Sequence, residues 1–140
     1  METKIAFICT GNSARSQMAE GFCKYYAEIS GKDIAVYSAG SSPSGYIHPL
    51  SVKVMLEKGI DISGQRSKSL DDIPLNKIDY LITLCSDAEK NCPVVSCKNV
   101  FHWNLPDPAE ASGTEEERLV IFRNVRDIIE NKILDLLKII

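Results

Sequence analysis

The sequence lacks the long hydrophobic runs and basic blocks that would connect it with a membrane or with nucleic acid. Its first apolar run is too short for a signal peptide or a membrane span, and no later run reaches that length. The 140 residues carry a net charge of −3, and no Lys- or Arg-rich block indicates a nucleic-acid or membrane partner. We expect the protein to be cytoplasmic and to act as a monomer.

Internal repeats, low-complexity tracts and linkers are also missing, so residues 1–140 are predicted to form one domain. Continuous apolar runs predict buried strands at 5–9 and 80–84, with further strands at 34–38 and 99–103. Helical periodicity marks residues 15–29, the segment from Pro49 to Gly59 and the chain from Thr114 onward, with Ile29 and Leu56 among the apolar residues expected to pack. This alternation predicts an α/β fold, a parallel sheet covered on both faces.

A cysteine and an arginine enclose a short polar loop between the first strand and the first helix. The loop reads Cys9-Thr10-Gly11-Asn12-Ser13-Ala14-Arg15-Ser16. Its backbone N–H groups and the helix dipole favour a tetrahedral oxyanion, which Arg15 can grip as a planar fork. The same field favours the thiolate form of Cys9. The alternative is a buried strand-end cysteine beside a surface arginine.

Asp107 also follows a predicted strand, and ligands of parallel sheets bind beyond the carboxyl ends of the strands. As part of an Asp-Pro pair it is most simply a turn residue. Beside an anion site, the same carboxyl group can protonate a leaving oxygen, and we favour this role. Asn12, Ser16 and Ser38 are predicted to brace the loop, with Ser16 placed to donate to Cys9.

The five cysteines are an odd number without export signals, which disfavours a structural disulfide framework. Cys85 and Cys92 flank a short polar segment. A metal site with Cys97 and His102 fits poorly, because zinc ligands usually come in tighter pairs. The other structural explanation is that Cys85 and Cys92 are simply two small buried residues. Thiol–disulfide exchange, in which one thiol attacks another's sulfur and a third resolves the product, explains the pair better.

Together these motifs carry a resemblance to the low-molecular-weight protein tyrosine phosphatase superfamily, and within it to thioredoxin-coupled arsenate reductases. The matching stretches are spread over nearly the whole chain: the loop from Cys9 to Glu20, Tyr37-Ser38-Ala39-Gly40, Thr83-Leu84-Cys85-Ser86-Asp87-Ala88, Asn91-Cys92-Pro93 and Asp107-Pro108. The resemblance implies a three-layer fold with a central four-stranded parallel sheet flanked by helices.

The resemblance also implies a mechanism for arsenic detoxification. Cys9 attacks arsenate held by the loop amides and Arg15, while Asp107 protonates the departing oxygen. Cys85 then attacks Cys9 and releases arsenite, and Cys92 attacks Cys85. Thioredoxin reduces the resulting Cys85–Cys92 disulfide as an external reductant. No tightly bound cofactor or metal is expected, and phosphate and sulfate are expected to compete with arsenate.

The sequence departs from the pattern of this superfamily at two positions. Some members have a cysteine where Ala14 stands, so a side-reaction thiol is missing here. Members that bind a structural potassium ion use residues matching Asn12, Glu20 and Ser38 together with an aspartate, where this chain offers Lys68. We hypothesise that the Lys68 ammonium replaces the cation, so activity should not depend on potassium.

Two other functions remain open from the sequence. A tyrosine phosphatase of the same fold would need Cys9, Arg15 and Asp107 but not the other cysteines, and it usually has aromatic residues after the Asp-Pro pair. Here the pair is followed by Ala109-Glu110-Ala111, although Tyr46 is an aromatic candidate for holding a phenyl-bearing substrate. A non-enzymatic oxyanion or redox sensor would bind or oxidise without turnover.

Overall fold

The computed structural model describes residues 2–86 and 97–140. Its regular elements are β1 (Thr3–Cys9), α1 (Arg15–Ser30), β2 (Ile34–Gly40), α2 (Pro49–Leu56), β3 (Tyr80–Thr83), β4 (Asn99–His102) and α3 (Glu115–Ile139). Three short 3₁₀ turns cover Leu70–Asp72, Leu75–Lys77 and Pro108–Glu110. The strands form one sheet in the order β2-β1-β3-β4, and every neighbouring pair is parallel. The predicted α/β fold with a four-stranded parallel sheet is confirmed.

β1 lies inside the sheet, and its continuous apolar run has partners on both faces. Ile5 and Phe7 pack with the buried residues of α1, α2 and α3. Ala6 and Ile8 face the other way, where Leu70, Ile73 and neighbouring residues around the 3₁₀ turns cover them. In the part of the chain that the structure describes, helices thus cover one face of the sheet and residues around the 3₁₀ turns cover the other. Burial on both faces explains why this strand does not alternate apolar and polar residues.

Local signals in the sequence account for the helix ends. Gly31 ends α1 with a φ of 69°, and its N–H bonds to the last carbonyls of the helix. Pro49 occupies the first turn of α2, and His48 Nδ1 accepts the N–H of Leu50. Thr114 and Glu117 form a capping box at the start of α3.

Two apolar residues do not pack as predicted. Ile29 is 64% exposed and Leu56 is 52% exposed. Each lies at the carboxyl end of its helix, in the last turn before the chain leaves the core. Apolar residues in these last turns therefore stay exposed although earlier residues of the same helices are buried.

Candidate active site at the strand ends

The loop of residues 9–15, called the anion loop below, follows β1 at the carboxyl edge of the sheet. Cys9 is 2% exposed and free of any disulfide. Its Sγ lies 3.2 Å from the backbone N of Asn12, which donates to it, and 2.9 Å from Ser16 Oγ. Asn12 has a φ of 47°, a left-handed conformation that asparagine tolerates. The Cys9 sulfur thus has a backbone N–H donor and a hydroxyl group within hydrogen-bonding distance.

A buried polar network connects Cys9 with Lys68. Asn12 Nδ2 donates to Ser16 Oγ at 2.8 Å and to Ser38 Oγ at 3.0 Å. Ser38 in turn donates to the carboxylate of Glu20, which is 4% exposed.

At the other end of this network, Lys68 closes the chain of contacts. Its Nζ lies 3.7 Å from Glu20 Oε1 and donates to the backbone oxygen of Arg66 at 2.6 Å. The backbone N of Lys68 donates to Asn12 Oδ1 at 2.7 Å. Burial lowers the pKa of the Lys68 ammonium, and the Glu20 carboxylate acts in the opposite direction. Asn12, Ser16 and Ser38, which the sequence predicts to brace the loop, are thus connected by hydrogen bonds.

Gln17 is a central bracing residue that sequence reasoning missed. It is fully buried, and its Nε2 lies 3.0 Å from both the backbone oxygen and Oδ1 of Asn12 and 2.8 Å from the backbone oxygen of Arg66. Gln65 Nε2 donates to Gln17 Oε1 at 2.8 Å. These contacts hold the left-handed Asn12 against the segment that carries Arg66. Nothing in the spacing of two glutamines 48 positions apart indicates this contact.

The segment of residues 42–48, called the strap below, binds the carbonyl oxygens of the anion loop. Backbone N–H groups of Ser42, Ser44 and His48 donate to Thr10, Gly11 and Ser13, respectively. The N···O distances are 2.9, 2.9 and 3.0 Å. Because these carbonyls are held by the strap, the loop amides are left for an anion in its concavity.

Arg15 is 2% exposed and joins the anion loop to the ends of two other strands. Its Nη1 donates to the backbone oxygen of Leu84 at 3.1 Å, after β3, and to that of Leu105 at 3.0 Å, after β4. Its Nη2 lies 3.6 Å from Asp107 Oδ2. These contacts fix the guanidinium in one orientation beside the loop.

Asp107 caps a turn and also faces Arg15. Its Oδ1 accepts the N–H of Ala109 at 3.0 Å and caps the last 3₁₀ turn. Its side chain is 28% exposed, and Oδ2 faces Arg15. The turn thus places a partly exposed carboxyl group beside Arg15, at the rim of the anion loop.

Cys85 lies next to the anion loop. It is fully buried and disulfide-bonded, and its Sγ is 3.9 Å from Thr10 Oγ1. Cys92 lies outside the described residues. Cys23 and Cys97 are free; burial raises the pKa of the Cys23 thiol to about 12, so this cysteine is a packing residue.

No group of three His, Cys, Asp or Glu side chains within 2–86 and 97–140 could hold a metal ion. Over the same residues, no helix is both long and apolar enough to span a membrane.

This chain is similar to known arsenate reductases over most of its length. An arsenate reductase of Bacillus subtilis (strain 168) is 49% identical over 135 residues, covering 95% of this chain and 94% of the relative. Another, from Halalkalibacterium halodurans, is 49% identical over 130 residues, covering 92% and 91%. A solved arsenate reductase in the phosphate binding state superposes with a TM-score of 0.80 at 36% identity, covering 96% of this chain and 95% of that one.

Two further matches concern the phosphatase fold. A low molecular weight protein tyrosine phosphatase from T. tengcongensis has a TM-score of 0.81 at 25% identity, covering 99% of both chains. The family model for low molecular weight phosphotyrosine protein phosphatase matches residues 4–140. The chain therefore belongs to the low molecular weight phosphotyrosine protein phosphatase family.

Proposed function

We propose that this protein reduces arsenate to arsenite through a three-cysteine relay that thioredoxin regenerates. The observation that carries the proposal is the contact between the anion loop and a second redox-active cysteine: a free Cys9 and a disulfide-bonded Cys85 flank Thr10. A phosphatase would use Cys9 alone. The relatives named arsenate reductase support the same choice.

In the first step, the Cys9 thiolate attacks the arsenic atom of arsenate. The sulfur–arsenic bond forms as one arsenic–oxygen bond breaks, and the oxygen leaves as water after Asp107 supplies a proton. The amides of Thr10, Gly11, Asn12, Ser13 and Ala14, together with Arg15, hold the remaining oxygens. Arsenic keeps its oxidation state in this step.

In the second step, the Cys85 thiolate attacks Cys9 Sγ. A Cys9–Cys85 disulfide forms, the electrons of the sulfur–arsenic bond go to arsenic, and arsenite leaves. Arsenic gains two electrons and the two thiols lose them. Cys92 then attacks Cys85 and frees Cys9 as a thiolate. A disulfide-bonded Cys85 beside a free Cys9 is the state that this third step would leave.

Thioredoxin would supply two electrons to the Cys85–Cys92 disulfide and so complete the cycle. A solved relative from Corynebacterium glutamicum is described as a thioredoxin-dependent arsenate reductase; it has a TM-score of 0.72 at 32% identity and covers 97% of this chain and 60% of that one. Within this proposal residues 1–140 act as one monomeric domain in the cytoplasm, without a tightly bound cofactor. Phosphate and sulfate compete for the anion loop.

Arsenate turnover with thioredoxin, thioredoxin reductase and NADPH tests the relay. Cys9→Ser should abolish all activity, because the nucleophile is lost. Cys92→Ser should permit at most one turnover, because the Cys9–Cys85 disulfide cannot be resolved. Full multiple turnover by Cys92→Ser with thioredoxin would overturn the assignment of the third cysteine.

A weak phosphatase activity is the second candidate, favoured by the pairing of Arg15 with Asp107 at 3.6 Å. The same nucleophile, anion loop and acid would serve a phosphate ester. Cys92→Ser should retain slow hydrolysis of 4-nitrophenyl phosphate, because water completes that reaction. The lack of hydrolysis by a variant that still performs one arsenate turnover would exclude this side activity.

A further inference from the structure

A cavity of about 570 Å³ lies beside the anion loop, and the reaction described above does not use it. Its lining includes Tyr46 and Ile47 of the strap, Val52 of α2, and Gln65, Arg66 and Ser67 from the segment before the first 3₁₀ turn. Its volume falls within the range of sites that bind small organic molecules, roughly 300–1,000 Å³.

The walls of this cavity contact the anion loop through its carbonyl oxygens. Ser67 Oγ donates to the backbone oxygen of Gly11 at 3.2 Å and accepts the N–H of Gly45 at 3.1 Å. The backbone N of Ser44 donates to the same Gly11 oxygen at 2.9 Å. Since the loop amides serve the oxyanion and its carbonyls bind these walls, the cavity and the oxyanion concavity are two separate spaces.

The lining combines an apolar surface with one positive charge. Ile47 and Val52 are partly buried against the core, and the Tyr46 ring is 56% exposed at the edge of the cavity. Among the described residues, no carboxylate forms an ion pair with Arg66, whereas the neighbouring Lys68 is paired with Glu20. A ligand with a flat apolar body and one carboxylate would match both features, because a guanidinium binds a carboxylate through two parallel hydrogen bonds.

The position of Arg66 is fixed by its backbone. Its carbonyl oxygen accepts Gln17 Nε2 at 2.8 Å and Lys68 Nζ at 2.6 Å, and both partners belong to the network around Asn12. A ligand that bridges Arg66 and the strap would therefore restrain the two segments that hold the anion loop in shape. Binding at two sites that order the same segments is cooperative and reciprocal.

We propose that this cavity is an effector site for a small aromatic carboxylate, and that its occupancy strengthens oxyanion binding in the anion loop. The site is a second ligand site of this protein, independent of which reaction the anion loop performs.

Titration of ¹⁵N-labelled protein with 2-naphthoate, in saturating inorganic phosphate, tests the binding. The amide signals of Gly45 and Val52 should shift in a saturable manner while phosphate stays bound. The neutral isostere 2-naphthamide should bind at least fivefold more weakly, as should 2-naphthoate to Arg66→Gln. Lys138→Gln removes one positive charge outside the lining and should bind 2-naphthoate like the wild type.

The effect on the anion loop is measured by the Kd of inorganic phosphate with and without 2-naphthoate. Phosphate should bind at least threefold more tightly when the cavity is occupied, and this difference should vanish in Arg66→Gln. Displacement of 2-naphthoate by phosphate, or equal binding to Arg66→Gln, would overturn the site. Saturable binding with an unchanged phosphate Kd would overturn its effector role. Neither readout requires arsenate reduction, so both stand if the proposed function fails.

Discussion

Replacing Lys68 with methionine should make the protein dependent on potassium. In the wild type, the Lys68 ammonium lies between the backbone oxygen of Arg66 and the carboxylate of Glu20, 2.6 and 3.7 Å away. Lys68→Met leaves these oxygens beside Ser38 and Asn12 without their cation. Oxygen ligands of this kind suit a hard cation, so potassium should occupy the space.

The size of the effect follows from the surroundings of Glu20. Leaving one charge of a buried pair without its partner costs about 3–5 kcal/mol. Lys24 remains 2.5 Å from Glu20 Oε2, and Ser38 still donates to the carboxylate, so part of the compensation persists. We therefore expect a stability loss of about 1–2 kcal/mol. We also expect a lower kcat/KM for arsenate, because Glu20 is connected through Ser38 to Asn12 of the anion loop.

Urea unfolding measures the stability loss, and arsenate kinetics measure kcat/KM. Each experiment is done in KCl and in NaCl at equal ionic strength. Potassium should raise kcat/KM of Lys68→Met at least threefold over sodium and leave the wild type unchanged. Lys24→Met is the matched control: it also contacts Glu20, but its side chain is 51% exposed, so it should lose little stability and gain no potassium response. A large stimulation of the wild type by potassium, or a Lys68→Met variant with unchanged kcat/KM, would refute the reasoning.

Two further substitutions test the packing of the loop and of the helices. Gly40→Ala should inactivate the protein and destabilise it by several kcal/mol, because the added Cβ would collide with the backbone oxygen of Thr10. A variant with normal turnover and a normal urea midpoint would contradict this. Glu57→Gln should lose about 1 kcal/mol at pH 7, a value discounted because Glu57 is 35% exposed. Hydrogen bonds from Arg123 and then Arg126 lower the pKa of Glu57 from 4.5 to about 2, so its contribution is present above pH 4.5 and lost as pH falls toward 2. The difference between wild type and Glu57→Gln in urea unfolding should therefore shrink toward pH 2, and a constant difference would contradict the assignment.

The sequence predicts the strands and the anion loop well because both depend on local signals. The apolar run of β1 and the cysteine-to-arginine spacing after it are visible in eleven consecutive residues, 5–15, and parallel strands bring their carboxyl ends to one edge. The same rule predicts that Asp107 lies at that edge, and its contact with Arg15 agrees with it. Cys85, which directly follows the predicted strand 80–84, contacts Thr10 at the same edge.

What the sequence does not predict depends on contacts between distant segments. Gln17 and Gln65 meet through side-chain hydrogen bonds, and the strap binds the anion loop mainly through backbone N–H groups, which carry no sequence signature. Ile29 and Leu56 belong to the predicted helices but are exposed in their last turns, and periodicity does not show where a helix leaves the core. The role of Cys92 stays a prediction.

One measurement tests the relay most directly: mass spectrometry of Cys92→Ser after a single equivalent of arsenate, with free thiols alkylated. If the relay operates, arsenite is released in equal amount and Cys9 is joined to Cys85 in one disulfide, because the third cysteine is missing. Release of arsenite while Cys9 and Cys85 are both still alkylated as free thiols would contradict it.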